Sequence, residues 1–187
     1  MAERLTTVFL DRDGVINVKA PEGEYVESWA SFSFLPGAVE AVERLRAAGL
    51  RVVVVTNQRG VALGRMSAAA VEDIHSRMIA AGVAVDRVYY CPHDDGECDC
   101  RKPLPGMLER AAREVPGVSL GRSCAIVGDS ESDMDAGRAV GAVLVKVGEV
   151  SSDVDFACGS LAEAADWLLS SFAVRGGAPH EPGEEPV

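Results

Sequence analysis

The sequence predicts an α/β protein, a mostly parallel sheet covered by helices on both faces. Short apolar runs rich in β-branched residues stop at polar turns, as Leu5–Leu10 stops at Asp11-Arg-Asp-Gly14, which is how a buried strand ends. Stretches of helical period lie between those runs, and strands alternating with helices at this spacing close by right-handed crossovers into a parallel sheet. A chain of 187 residues, 48% of them hydrophobic, has the size and the apolar content for one domain with a sizeable core.

Leu5–Leu10 is the first expected strand. Ala38, Val39, Val42 and Leu45 then keep helical spacing, and Gly49 supplies a C-terminal stop. Arg51–Val55 is the second strand, ending at Thr56-Asn-Gln, and Ser67 caps a helix that carries Val71, Ile74 and Met78 on one face and ends at Gly82. Asp86–Tyr90 is a third strand, and Pro105 suits the first turn of a helix over Met107–Glu114. Cys124–Val127 precedes Gly128-Asp, a helix covers Glu131–Val140, a strand Ala142–Val147 and a last helix Leu161–Phe172. Trp29, Phe32 and Phe34, around Pro36, read as loop packing under the core. Residues 1–174 make a single domain on this reading, and the Pro-, Gly- and Glu-rich end, residues 175–187, reads as a disordered tail.

Charge and termini exclude several classes. A net charge of −11 and a pI near 4.7 are the opposite of the basic footprint that counterion release from a nucleic acid requires. The start, MAERLTTVFLDRDG, lacks the basic and apolar regions of a signal peptide, and no apolar stretch reaches the roughly 18 residues of a membrane span. The expectation is a cytoplasmic protein with neither nucleic-acid nor membrane partners.

Polar residues gather where strands end: Asp11 and Asp13 after the first, Thr56 and Asn57 after the second, Asp129 and Asp133 after a later one. In open parallel sheets ligands collect at the carboxyl ends of the strands. Carboxylates gathered there repel unless a cation holds them, and hard oxygen ligands suit Mg²⁺, which completes its shell with water and substrate phosphate. A second cluster, CPHDDGECDCRKP from Cys91 to Pro103, packs three of the five cysteines and one of the three histidines into ten residues. In a reducing compartment such a cluster points to metal or redox chemistry ahead of disulfides. Cys91, His93, Cys98 and Cys100 have the count and softness of tetrahedral zinc ligands, although the spacing is unlike common C-x-x-C knuckles. Cys124 and Cys158 lack such partners and read as small buried hydrophobes, and His75 as a surface or boundary residue of its helix.

VFLDRDGVIN, VVVTNQ, CRKP and VGDSESD, in that order over about residues 6–147, resemble the four motifs of the haloacid dehalogenase superfamily. DRDGVIN, TNQRGVALGR and the Cys/His loop directly before RKP narrow the resemblance to its zinc-containing branch, which holds heptose 1,7-bisphosphate and histidinol-phosphate phosphatases. The resemblance implies a Rossmann-like phosphatase acting on a small phosphorylated metabolite. Asp11 would be the nucleophile that forms an aspartyl-phosphate, and Asp13 the general acid and base, its pKa raised by neighbouring carboxylates. Asp11, Asp129 and the backbone carbonyl of Asp13 would hold Mg²⁺, with Asp133 in support. Thr56 and Asn57 would donate to phosphate oxygens, and Lys102 would counter their charge. The resemblance also assigns Cys91, His93, Cys98 and Cys100 to a closed structural zinc, which would fix the loop and aim Arg101 and Lys102 at the phosphate. About 24 residues separate Asp13 from Ala38 and about ten separate Asn57 from Ser67, too few for a large cap domain. Recognition then falls to residues 22–28, 60–65 and the zinc loop, with Arg65 or Arg101 as anion contacts.

Overall fold

The computed structural model describes residues 4–149 and 153–174, so the expectation for 175–187 lies outside the described residues. Six strands, β1 (Thr7–Leu10), β2 (Arg51–Asn57), β3 (Arg87–Cys91), β4 (Cys124–Gly128), β5 (Val143–Val147) and β6 (Phe156–Cys158), form one sheet in the order β3-β2-β1-β4-β5-β6. Every pairing is parallel. Four helices connect strands, α1 (Ala38–Ala47), α2 (Ala68–Ala80), α3 (Gly106–Glu114) and α4 (Glu131–Ala139), and a fifth, α5 (Leu161–Ser171), follows β6.

The strands alternate at period two between two cores. Val8, Leu10, Val52 and Val54 face one core with residues of α1, α2 and α5, while Phe9, Val53, Val55 and Ile126 face the other with residues of α3 and α4. Both faces of β1 are therefore dry, as its unbroken TVFL run requires. Trp29 stacks on Phe32 with centroids 4.9 Å apart, and Phe34 meets Phe32 edge to face at 5.0 Å, all against the α1/α2/α5 core.

Chain direction sets the site. From β1 the chain builds outward through β2 to β3, then returns to lay β4 on the other side of β1 and builds outward again. Strand order reverses at β1, and a crevice opens beyond its carboxyl end between connections that leave in opposite directions. The expected elements form with ends shifted by a residue or two, with one addition. The edge strand β6 is three residues long, too short to show a period of its own. It is defined by nonlocal pairing, Val145 with Phe156 and Val147 with Cys158.

Candidate active site and metal centre

Asp11 follows β1, and its N–H still donates to the Val127 carbonyl of β4 at 2.9 Å, so the chain leaves the sheet while tied to it. The next turn is drawn tight by Ile16 and Asn17, whose N–H groups donate to Arg12 O at 2.8 and 3.1 Å. Gly14 has φ +87°, and a Cβ there would stand 2.5 Å from Asp129 Oδ2. Both the left-handed backbone and the room for Asp129 demand glycine. Across the crevice a Cβ on Gly128 would stand 2.3 Å from that of Asp133 in the first turn of α4. Close approach of these turns brings carboxylate oxygens of Asp11, Asp129 and Asp133 within 4.8 Å of one another.

Asp133 is fully buried and does two jobs. Its Oδ2 accepts from the Ser130 hydroxyl at 2.5 Å and the Ser130 N–H at 3.1 Å, which caps α4. Its Oδ1 pairs with the Lys102 ammonium. Lys102, also buried, reaches Asp11 Oδ1 at 3.0 Å and donates to the Val55 carbonyl at 2.8 Å. Burial alone would lower the Lys102 pKa, but Asp11 and Asp133 together raise it, so the ammonium stays charged. For Asp11 burial comes first and Asp133 second, and they outweigh Lys102 to push its pKa up to about 7. Buried Asp129 Oδ1 has no hydrogen-bond partner. Three converging carboxylates, one with an orphan oxygen, suit a hard cation such as Mg²⁺.

Asp13 turns away from this cluster. Its carboxylate accepts from Arg12 at 3.0 and 3.1 Å, from Asn17 Nδ2 at 2.8 Å and from Gln58 Nε2 at 3.0 Å. The sequence reading expects crowding to raise its pKa, but the structure reverses the sign. Burial does push upward, yet the Arg12 guanidinium and the bonds from Asn17 and Gln58 hold Asp13 below the usual carboxylate range. His75 is a second correction. It is not a surface residue: only 6% exposed, it presents Nε2 to Arg12 Nη1 at 3.1 Å, and burial followed by the Arg12 charge pushes its pKa down to about 3. Its position four residues after Val71 and three before Met78 put it on the buried stripe of α2, a signal the periodicity already held. Arg12, Asn17 and Gln58 lie inside the quoted motifs, but no local pattern announces a fully buried arginine.

Thr56 and Asn57 end β2 beside Lys102. Thr56 Oγ1 accepts from Gln58 Nε2 at 2.8 Å, while Asn57 bridges the Lys102 backbone, accepting from its N–H at 3.1 Å and donating to its carbonyl at 2.9 Å. A cavity of about 460 Å³ lies over these groups, lined by Asp11, Asp13, Thr56, Asn57, Lys102 and Asp129 and roofed by residues 19–26. Arg65 and Arg101 do not line it: Arg65 pairs with Glu27 at 3.2 Å, and Arg101 Nε with Asp95 at 2.5 Å.

Cys91 ends β3, and its carbonyl accepts from the Gln58 N–H at 2.8 Å. Its Sγ lies 3.6 Å from His93 Nδ1 and 3.5 Å from Cys98 Sγ, while Cys100 Sγ lies 3.4 Å from His93 Nδ1 and 3.3 Å from Cys98 Sγ. Tetrahedral zinc spaces sulfur and nitrogen ligands about 3.5–3.8 Å apart. These four atoms, all within 4.8 Å of one another, therefore fit it after a small expansion. The loop is seated on α3, where a Cβ on Gly106 would stand 2.4 Å from the Asp99 carbonyl, and it is tied outward by Arg59 to Asp94 at 2.5 Å.

Carboxylates and a buried lysine gather where the strand order of a parallel sheet reverses, and the chain belongs to the haloacid dehalogenase-like hydrolases, whose family description it matches over residues 2–141. Within that family it is a phosphatase. A Mycobacterium tuberculosis (strain H37Rv) D-glycero-alpha-D-manno-heptose-1,7-bisphosphate 7-phosphatase is 40% identical, covering 95% of this chain and 93% of its own. The Escherichia coli (strain K12) D-glycero-beta-D-manno-heptose-1,7-bisphosphate 7-phosphatase is 37% identical over 92% and 93%. Among solved structures, D,D-heptose 1,7-bisphosphate phosphatase from B. bronchiseptica, complexed with magnesium and phosphate, superposes with a TM-score of 0.77 at 34% identity, covering 89% of this chain and 99% of that one.

Proposed function

We propose that the chain removes the 7-phosphate of D-glycero-D-manno-heptose 1,7-bisphosphate through an aspartyl-phosphate on Asp11. The observation that carries this reading is the placement of Asp11 on the cavity floor. Its Oδ1 is held by the Arg12 N–H at 2.8 Å and by Lys102 at 3.0 Å, leaving Oδ2 to attack phosphorus. The similarity to heptose bisphosphate phosphatases along most of the chain supports the substrate.

Asp11 Oδ2 bonds to phosphorus as the sugar oxygen leaves, and water later cleaves the acyl phosphate, dividing one difficult displacement into two. Asp11, Asp129, the Asp13 carbonyl and, in support, Asp133 would hold Mg²⁺, which would supply the positive charge that offsets carboxylate repulsion against the entering phosphate. Lys102 adds a second fixed charge, its backbone steadied by Asn57, and the Thr56 hydroxyl is free to donate to a phosphate oxygen. Asp13, ionised by its Arg12, Asn17 and Gln58 partners, is ready as the base for the water step. To protonate the leaving oxygen first, it has to gain a proton as the anionic substrate arrives, because a nearby like charge disfavours the ionised form. Cys91, His93, Cys98 and Cys100 would hold a structural Zn²⁺, all four ligands coming from the protein. Residues 1–174 act as one capless phosphatase unit. A cytoplasmic setting agrees with free thiols and with the lack, among the described residues, of a helix able to cross a membrane.

Purified protein with Mg²⁺, assayed against heptose 1,7-bisphosphate, histidinol phosphate and a 3′-phosphorylated oligonucleotide, is expected to release phosphate from the first. Asp11→Asn is expected to abolish that release. Preference for histidinol phosphate would overturn the substrate, and full activity in Asp11→Asn would overturn the mechanism.

A further inference from the structure

Two cations meet the carboxylate cluster, and they are held in opposite ways. Lys102 is buried between Asp11 and Asp133 with a third bond to the sheet, and cannot leave without stranding them. Lys19 comes from the roof segment, its side chain 55% exposed, and rests its Nζ 2.6 Å from Asp129 Oδ2. The other oxygen of Asp129 is the buried one without a partner. Partial burial acts to lower the Lys19 pKa, but Asp129, with Asp11 and Asp133 behind it, raises it, so the group on Asp129 is an ammonium.

A divalent ion bound to Asp129 and an ammonium on the same carboxylate would stand within a few ångströms of each other, and like charges that close repel. Lys19 is the partner able to move, because its long stem is exposed. When it moves it remains on the cavity wall, where the only other cation among the lining residues is Lys102 and the roof itself contributes Glu22 and Glu24. A substrate with two phosphates brings a second anionic group that Lys102, committed to Asp11 and Asp133, does not serve.

We infer that Lys19 and the divalent cation compete for Asp129, and that the ammonium the cation sets free receives the anionic group of the substrate remote from Asp11. The second half rests on the bisphosphate reading above; the first half does not. Lys19 is on this account a specificity-determining residue, and the size of the effect separates it from an ordinary exposed charge, whose removal raises a neighbouring cation's affinity only slightly because solvent and salt screen it.

Calorimetric titration of Mg²⁺ into zinc-loaded protein tests the first half. Lys19→Met is expected to bind Mg²⁺ about fivefold or more tightly than the parent, and Lys19→Arg to stay near it. Equal or weaker binding by Lys19→Met overturns the competition. For the second half, KM is measured at saturating Mg²⁺ for heptose 1,7-bisphosphate and for heptose 7-phosphate. Lys19→Met is expected to raise the bisphosphate-to-monophosphate KM ratio about fivefold, and an unchanged ratio overturns the role. If the parent releases phosphate from neither sugar, the bisphosphate reading falls and the second half with it, while the Mg²⁺ titration still decides the first.

Discussion

Asp13 and Asp11 are two residues apart, yet their surroundings push them in opposite directions. Asp11 is raised by burial and then by Asp133; Asp13 is bracketed by Arg12, Asn17 and Gln58 and lowered. The bracket depends on His75 remaining neutral, since a guanidinium only donates and the ring nitrogen it meets must accept. This sets a pH dependence. The folded pKa of His75, about 3, lies below the unfolded value of about 6.5, so between them the unfolded chain binds the extra proton. Its contribution is then complete above about pH 6.5 and is lost as pH falls toward 3, with a slope of up to about 1.4 kcal/mol per pH unit. His75→Leu leaves Arg12 Nη1 unmet in addition to its already unpartnered Nε and should cost about 1–3 kcal/mol at pH 7.5. Urea unfolding at pH 5, 6 and 7.5 checks this: the gap between parent and variant should narrow as pH drops, and a pH-independent gap would contradict it. The sequence did not disclose the bracket, because hydrogen bonds between residues 12, 58 and 75 join separate elements and leave no local periodicity.

At the scale of elements, the loop from Cys91 to Lys102 is a long, polar connection next to the site. Its charged side chains pair near the surface, Asp94 with Arg59 and Asp95 with Arg101, and pairs with a solvent-exposed partner contribute little. The four Cys/His side chains, closing on a metal, are what could fix it. Cys98→Ser is expected to lose close to one zinc per chain by elemental analysis, and to melt about 4–8 °C lower if the lost clamp costs about 2 kcal/mol. Activity should fall with the metal, because Lys102 follows the loop. Retained zinc with full activity would refute the clamp. This loop was legible in residue type and order, whereas the direction of Arg101 was not: a charged side chain settles on the nearest opposite charge, here Asp95, and spacing does not reveal that choice.

For the molecule as a whole, alternation of apolar runs and helical stretches was enough to give a parallel sheet, since a strand with both faces dry has little other home. Strand order, and with it the crevice at β1, emerged only from long-range pairing, as did β6. Because one sheet runs through both cores, a ligand at the crevice stabilises the far edge as well. A cation that binds only the folded chain at a hundredfold excess over its Kd adds about 2.7 kcal/mol, or roughly 5–10 °C for a chain of this size. Trp167, stacked on Phe156 of β6 with ring centroids 4.7 Å apart, should report that shift by fluorescence when Mg²⁺ is added, and Asp129→Asn should abolish it. A shift of equal size in the variant would place the cation elsewhere.

The Cys91 backbone joins the two halves of the site. Its sulfur belongs to the Cys/His set, and its carbonyl accepts from the Gln58 N–H, whose side chain touches Asp13 and Thr56. Cobalt exchanged into that set would be a coloured ion linked to Asp13 through Cys91 and Gln58. The thiolate ligand field would then act as an optical antenna, its visible absorption registering the arrival of a phosphate in the cavity without any label on the substrate.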